Sequence, residues 1–132
     1  MELALAQQAM EQAVKKAQDM GVPMSLAVVD EGGHLVMCLR MDGAGWLTTD
    51  IAKGKAYTAA AFRRSTAELA ERLGSHPSFL NAINALQPGV MAVGGGVPMV
   101  RDGKVIGGIG ASGGTAAQDE ECARAGLAGL LD

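Results

Sequence analysis

The segment GGIGASGGTAAQD, residues 107–119, combines glycines with hydroxyl, amide and acidic side chains. It contains G-x-G-x-x-G at Gly108, Gly110 and Gly113, the spacing of a dinucleotide-binding turn. Such a site also needs a second strand after the helix, with an acidic residue about 20 residues downstream. The 18 residues after Gly114 have helical rather than strand patterning. We therefore reject a nicotinamide or flavin site.

The start of the helix after these glycines is a candidate anion site, because free backbone amides and the helix dipole favour a carboxylate or phosphate there. The residues that would bind the anion are Ser112, Gly113, Gly114, Thr115 and Gln118. In the alternative interpretation, Thr115 and Gln118 form a capping box and the glycines only allow the helix to lie close to a strand. The sequence leaves both interpretations open.

Other charged side chains could contact a ligand or substrate. Arg40 and Asp42, at the end of a predicted strand, could bind an anionic group or pair with each other and fix the loop RMDGAG. Asp119 could act as an acid or base, or could interact with the dipole of the last helix. Lys53 and Lys55 point to different faces of a predicted helix, so at most one of them can reach a site.

Two histidines are candidates for metal ligation or proton transfer. His34 follows the turn Gly32-Gly33, where we expect an exposed imidazole. His76 lies in the irregular segment GSHPSF, and such loops often carry sites. A solvated imidazole or one that caps a helix is the alternative. The methionines, which could offer thioethers but usually fill cores, are Met37, Met41, Met91 and Met99. No pair of side chains has the spacing of a zinc site, so we predict no structural metal.

Composition restricts the functional class. The chain has 132 residues, a net charge of −3 and 3% aromatic residues, so we expect one domain, residues 1–132, and no nucleic-acid partner. No apolar run approaches the roughly 20 residues that cross a bilayer, and the N-terminus has no signal-peptide pattern. Cys38 and Cys122 share no metal or redox spacing. We therefore expect no membrane partner and a reduced, cytoplasmic setting.

The elements that must position these residues follow from the hydrophobic pattern. A first helix is stopped at Gly21, and MSLAVVD and HLVMCLRM then form a hairpin. Three helical segments span residues 48–87. VMAV, GVPMVR and GKVIGGIGA are predicted strands, the last two joined at Asp102-Gly103, and a last helix follows. The pattern predicts an α+β domain with an antiparallel sheet of five strands.

VVDEGGHLVMCLRMDGA, followed by GGGVPMVRDGKVIGGIGASGGTAAQDEECARAGL, resembles the heme-binding protein family typified by GlcG and HbpS. This family includes the C-terminal domain of PduO-type corrinoid adenosyltransferases. The resemblance implies a three-layer α/β/α domain with a five-stranded antiparallel sheet of the profilin-like type, and a homo-oligomer. It also implies a pocket where RMDGAG, GGGVP and GASGGT converge, lined by Gly94, Gly95, Gly96 and Pro98.

Three functions remain open. The favoured one is a small-molecule-binding protein for heme or another tetrapyrrole, with His76 or a methionine as axial ligand of the heme iron. Heme requires such a ligand, an apolar slot and partners for two propionates. The second is an isomerase, hydratase or lyase in which Asp42, His76 or Asp119 acts as acid or base on a carboxylated or carbonyl substrate. The third is a structural or assembly module.

Overall fold

The computed structural model describes residues 1–131, which form five helices and four strands. The helices are α1 (Leu3–Met20), α2 (Thr48–Phe62), α3 (Thr66–Leu73), α4 (Pro77–Leu86) and α5 (Ala116–Leu127). The strands are β1 (Ser25–Asp30), β2 (Leu35–Arg40), β3 (Gly96–Arg101) and β4 (Lys104–Ser112). No described helix is both long enough and apolar enough to cross a bilayer.

The strands form one antiparallel sheet in the order β2-β1-β4-β3. This confirms the α+β class and both predicted hairpins, but the predicted five-stranded sheet is wrong. The segment 90–93, expected to be a strand, is irregular. Its backbone amides pair with side chains rather than with a strand: Val90 N–H donates to Asn84 Oδ1 (3.1 Å) and Met91 N–H to Thr58 Oγ1 (2.7 Å). Membership of the profilin-like type stays a prediction.

Helices cover both faces of the sheet, because successive β1 side chains point to opposite sides. Leu26 and Val28 are buried in a cluster with α1 and α5. Ala27 and Val29 lie in a second cluster with alanines of α2. The layers are therefore α1 and α5, the sheet, and α2.

Two β4 glycines allow α2 to lie close to the sheet. A Cβ atom on Gly108 would collide with the carbonyl of Ala56, and one on Gly110 with the carbonyl of Ala52. These are two of the glycines of the G-x-G-x-x-G pattern. Their role is close packing of helix on strand, the alternative that sequence reasoning had left open.

Candidate functional site

The predicted anion site at the start of α5 is filled by side chains of the same helix. Gly114 N–H donates to Asp119 Oδ1 (2.8 Å), and Thr115 N–H donates to Gln118 Oε1 (2.9 Å). In return, Gln118 N–H donates to Thr115 Oγ1 (3.1 Å), which completes a capping box. Ser112 is buried. The expectation of free amides at Gly114 and Thr115 is therefore wrong, because both hydrogens are already bonded.

Asp119 is enclosed in the core with a lysine. Its Oδ2 atom lies 2.8 Å from Lys55 Nζ, and the two side chains are only 4% and 3% exposed. Lys55 Nζ also donates to the carbonyl of Ala111 (3.0 Å). With Gly114 N–H on Oδ1, both carboxylate oxygens of Asp119 have partners. The role of Asp119 as an accessible acid or base is therefore wrong.

The glycine run 94–96 packs around this ion pair instead of facing a ligand. A Cβ on Gly95 would lie 2.8 Å from Lys55 Nζ and 2.9 Å from Asp119 Cβ. Gly96 N–H donates to Thr66 Oγ1 (2.8 Å), which ties β3 to α3. Gly94 lies against α5, since its Cβ would be 3.3 Å from that of Ala116. The backbone approaches helices closely here, and all three glycines are buried.

The loop RMDGAG lies at the same end of the sheet, because Ser25 is paired with both Arg40 and Ser112. Pro23, however, lies between this loop and the glycine turn. It contacts the Cβ positions of both Gly43 and Gly113. Arg40 and Asp42 are exposed, and no ion pair joins the two in the part of the chain that the structure describes.

His76 lines an open cavity of about 450 Å³ between the end of α2, α3 and α4. We call it the His76 cavity. Its apolar lining comes from Phe62, Leu69, Leu73 and Phe79. Arg64 and Arg72 complete the lining. Neither Asp42 nor Asp119 lines this cavity, so the structure does not bring the three proposed acid–base residues together there.

One ring nitrogen of the His76 imidazole has a hydrogen-bond partner. His76 is the N-cap residue of α4, and Pro77 occupies the first position of the helix, where its missing N–H costs nothing. The side chain makes no capping bond to the helix. Instead, Nδ1 lies 3.1 Å from Ser75 Oγ. This contact leaves Nε2 for a ligand, the arrangement in which a neighbouring group orients a metal-binding imidazole.

A shared carboxylate orients the two arginines. Glu68 Oε1 lies 3.7 Å from Arg64 Nη1, in the α2–α3 junction, and 3.5 Å from Arg72 Nη2, one turn further along α3. Ser65 begins this helix by accepting a hydrogen bond from Glu68 N–H (3.2 Å). Two cations share one anion, so the wall of the His76 cavity has a net positive charge. Arg72 was not among the predicted site residues, although its i, i+4 spacing from Glu68 is visible in the sequence.

The remaining candidate ligands lie elsewhere. His34 pairs with Asp30, with 3.2 Å between Nδ1 and Oδ1, and its side chain is 81% exposed. Hydrogen bonds from the backbone amides of His34 and Gly32 hold the pKa of Asp30 below its ordinary value. Met99 is fully buried, as expected of core filler. Among residues 1–131, no group of three acidic, cysteine or histidine side chains could hold a metal ion.

Pro98 lines a different cavity, of about 460 Å³, along the outer edge of β3. We call it the β3-edge cavity. It lies between the α2–α3 junction and the end of α5, and Arg64 lines both cavities. Of the predicted ligand-binding residues, only His76 and Pro98 contribute to these two cavities.

Comparison with known proteins relates the whole fold to one family. The family model described as "Haem degrading protein HbpS-like" matches residues 1–128. An uncharacterised 15.0 kDa protein of Citrobacter freundii, encoded between dhaT and dhaS, is 40% identical over 119 residues, which are 89% of this chain and 84% of that protein.

Two solved structures are similar over nearly their full lengths. The crystal structure of HbpS has a TM-score of 0.91 and 37% identity, covering 100% of this chain and 91% of that one. A complex of PduOC with heme has a TM-score of 0.88 and 33% identity, covering 97% of this chain and 93% of that one. With the predicted motifs in place along β1, β2, β4 and α5, the chain belongs to the HbpS-like family.

Proposed function

We propose that this protein binds heme or a closely related tetrapyrrole in the His76 cavity. The observation that carries the proposal is an apolar cavity whose lining residues include one histidine and two arginines. These are the three kinds of group that heme requires: an axial ligand, an apolar slot and partners for two propionates. The heme complex of the similar PduOC structure supports the choice of ligand.

Each part of the lining would have a separate task. The rings of Phe62 and Phe79, with Leu69 and Leu73, offer an apolar surface to the macrocycle. His76 Nε2 would be the axial ligand, because Nδ1 already contacts Ser75 Oγ. A bound heme would supply a redox-active iron centre at this site.

The two arginines favour a tetrapyrrole that carries carboxylates. Guanidinium groups form charge-assisted, often bidentate hydrogen bonds with carboxylates, and these are stronger than bonds to neutral amides. Arg64 and Arg72 both pair with Glu68 Oε1, so their guanidinium groups lie near one another and could receive the two propionates of one heme. A corrinoid, whose periphery carries mainly amides, would gain less from this pair.

Hemin titration tests the proposal. The wild-type protein should give a sharpened Soret band that saturates, and His76→Ala should shift or abolish it. His34→Ala is the matched control, because His34 is exposed and lies outside the cavity. If the spectrum of hemin is the same with and without the wild-type protein, the proposal is wrong. Equal hemin spectra for wild type and His76→Ala would show that His76 is not the axial ligand.

We further propose that the chain forms a homo-oligomer. The supporting observation is α4, which has the apolar sequence PSFLNAINAL but no buried residue. Phe79 and Leu86 are 47% and 80% exposed on it. Exposed apolar surface of this kind marks contacts with other proteins. Analytical ultracentrifugation should give a mass above one chain for the wild type and a lower mass for Leu86→Ser. A monomeric wild type would contradict this proposal.

A further inference from the structure

The β3-edge cavity has an apolar floor on an edge strand. Val97 and Val100 of β3 and Leu127 of α5 line it, and both Val97 and Leu127 are less than a tenth exposed. Pro98, between the two valines, has no N–H to offer to another strand. The outer edge of β3 is therefore poorly suited to adding a strand from another chain. A ligand could instead contact the side chains that line this cavity, whose volume of about 460 Å³ is in the size range of small-molecule pockets.

The rim of the cavity is cationic. Arg63, Arg64 and Arg124 line it together with one carboxylate, that of Glu68. Arg64 pairs with Glu68 at 3.7 Å, and Arg124 pairs with Glu120 at 3.2 Å. Within residues 1–131, Arg63 makes no ion pair. Three guanidinium groups stand against the two carboxylates of Glu68 and Glu120, so the rim keeps an excess of positive charge and attracts anions.

The backbone at Arg63 adds a second observation. Arg63 ends α2 in the left-handed region, with φ 57 and ψ 36. Glycine is the usual residue at this position of a helix end, because a Cβ atom is strained there. An arginine that keeps this conformation places a cationic side chain at the junction of α2 and α3, next to Arg64 and beside β3. Strain of this kind is found preferentially at functional positions.

We propose that the β3-edge cavity binds a small organic anion with an apolar body and one carboxylate. The carboxylate would bind Arg63 and Arg124, and the apolar part would cover Pro98 and Val100, which are more exposed than Val97 and Leu127. This ligand class follows from the apolar floor and the excess of guanidinium groups at the rim. The site is separate from the His76 cavity, although Arg64 lies between the two.

Octanoate is a suitable probe, with octanol and octylamine as matched ligands without the negative charge. In amide NMR titrations of the heme-free protein, octanoate should give saturable shifts around Val97 and Leu127. The double variant Arg63→Gln, Arg124→Gln should weaken octanoate binding about tenfold, since hydrogen bonds to a charged group typically contribute about 1.5–3 kcal/mol and 1.4 kcal/mol is tenfold. Octanol and octylamine should bind more weakly.

Controls separate this site from the heme proposal. Arg72→Gln and His76→Ala change residues that line only the His76 cavity, so octanoate binding should be unchanged in both. Saturating octanoate should still allow hemin to bind. The inference is overturned if octanol binds as tightly as octanoate, if the shifts do not saturate, or if His76→Ala abolishes them. Thermal melting of each arginine variant checks that the fold is intact.

Discussion

The ammonium group of Lys55 and the carboxylate of Asp119 lie 2.8 Å apart in the core, where they join α2 to α5 across the end of the sheet. Each group has a second partner, the carbonyl of Ala111 for Lys55 and the amide of Gly114 for Asp119. A buried ion pair is tolerated when its remaining hydrogen-bonding capacity is satisfied in this way. Along the described chain, no buried side-chain nitrogen or oxygen lacks a partner.

Removal of one member of this pair should destabilise the fold strongly. Lys55→Met leaves the carboxylate of Asp119 buried without its counter-ion, so we expect a loss of about 3–5 kcal/mol in the free energy of unfolding. Urea denaturation measures this loss. The double variant Lys55→Met, Asp119→Leu should recover part of this loss, because no charge is then buried.

Lys53→Met is the matched control. Lys53 pairs with Asp50 at the surface at 3.7 Å, so this substitution should lower the free energy of unfolding by less than about 1 kcal/mol. Equal losses for Lys55→Met and Lys53→Met would contradict this account.

Gly95→Ala should be more destabilising than Gly103→Ala. Both glycines have positive φ, 132° and 77°, so both substitutions strain the backbone. Only at Gly95 does the new Cβ also meet atoms closer than 3.0 Å, including Lys55 Nζ. Urea denaturation should show a loss of about 1 kcal/mol for Gly103→Ala and more than about 2 kcal/mol for Gly95→Ala. The account would fail if Gly103→Ala were the more damaging change.

Thr115→Ala removes the hydroxyl that caps α5. We expect a loss of about 1 kcal/mol in the free energy of unfolding, as for other N-cap substitutions. Inorganic phosphate should not change the melting temperature of wild type or variant through this turn, because the amides of Gly114 and Thr115 are already bonded. Phosphate stabilisation that disappears in Thr115→Ala would show instead that the turn binds anions.

The free energy of unfolding should decrease above about pH 9 because of the buried thiol of Cys122. Burial, together with the charge of Asp119, raises the pKa of the Cys122 thiol to about 11. The unfolded chain loses this proton near its ordinary 9.0, so the folded state holds more protons between the two values. The contribution of this group is therefore constant below about pH 9 and declines as the pH rises towards 11. Urea titrations across this range should show a smaller decline for Cys122→Ala, and an equal decline would contradict the assignment.

The hydrophobic pattern predicted most of the fold. Both hairpins, the long helices and the capping box at Thr115 depend on local signals, such as positive-φ glycines and S/T-x-x-Q/E spacing, and these were confirmed. The strand predicted at VMAV was wrong. Hydrophobic periodicity does not show whether backbone amides will bond to another strand or, as here, to the side chains of Asn84 and Thr58.

The site was less predictable because it depends on long-range contacts. The glycines at 94–96 suggested accessible backbone, but their neighbours Lys55 and Asp119 are distant in sequence and fill the space. His76 was a candidate because of its irregular segment, whereas Arg72 becomes a candidate only once the fold places it at the same cavity.

An iron anomalous difference map of crystals loaded with hemin tests the central claim most directly. It locates the metal without assuming a ligand. The account predicts one strong peak in the His76 cavity, within bonding distance of His76 Nε2. A peak elsewhere, in the β3-edge cavity or on an exposed surface, would contradict the assignment of this cavity as the heme site.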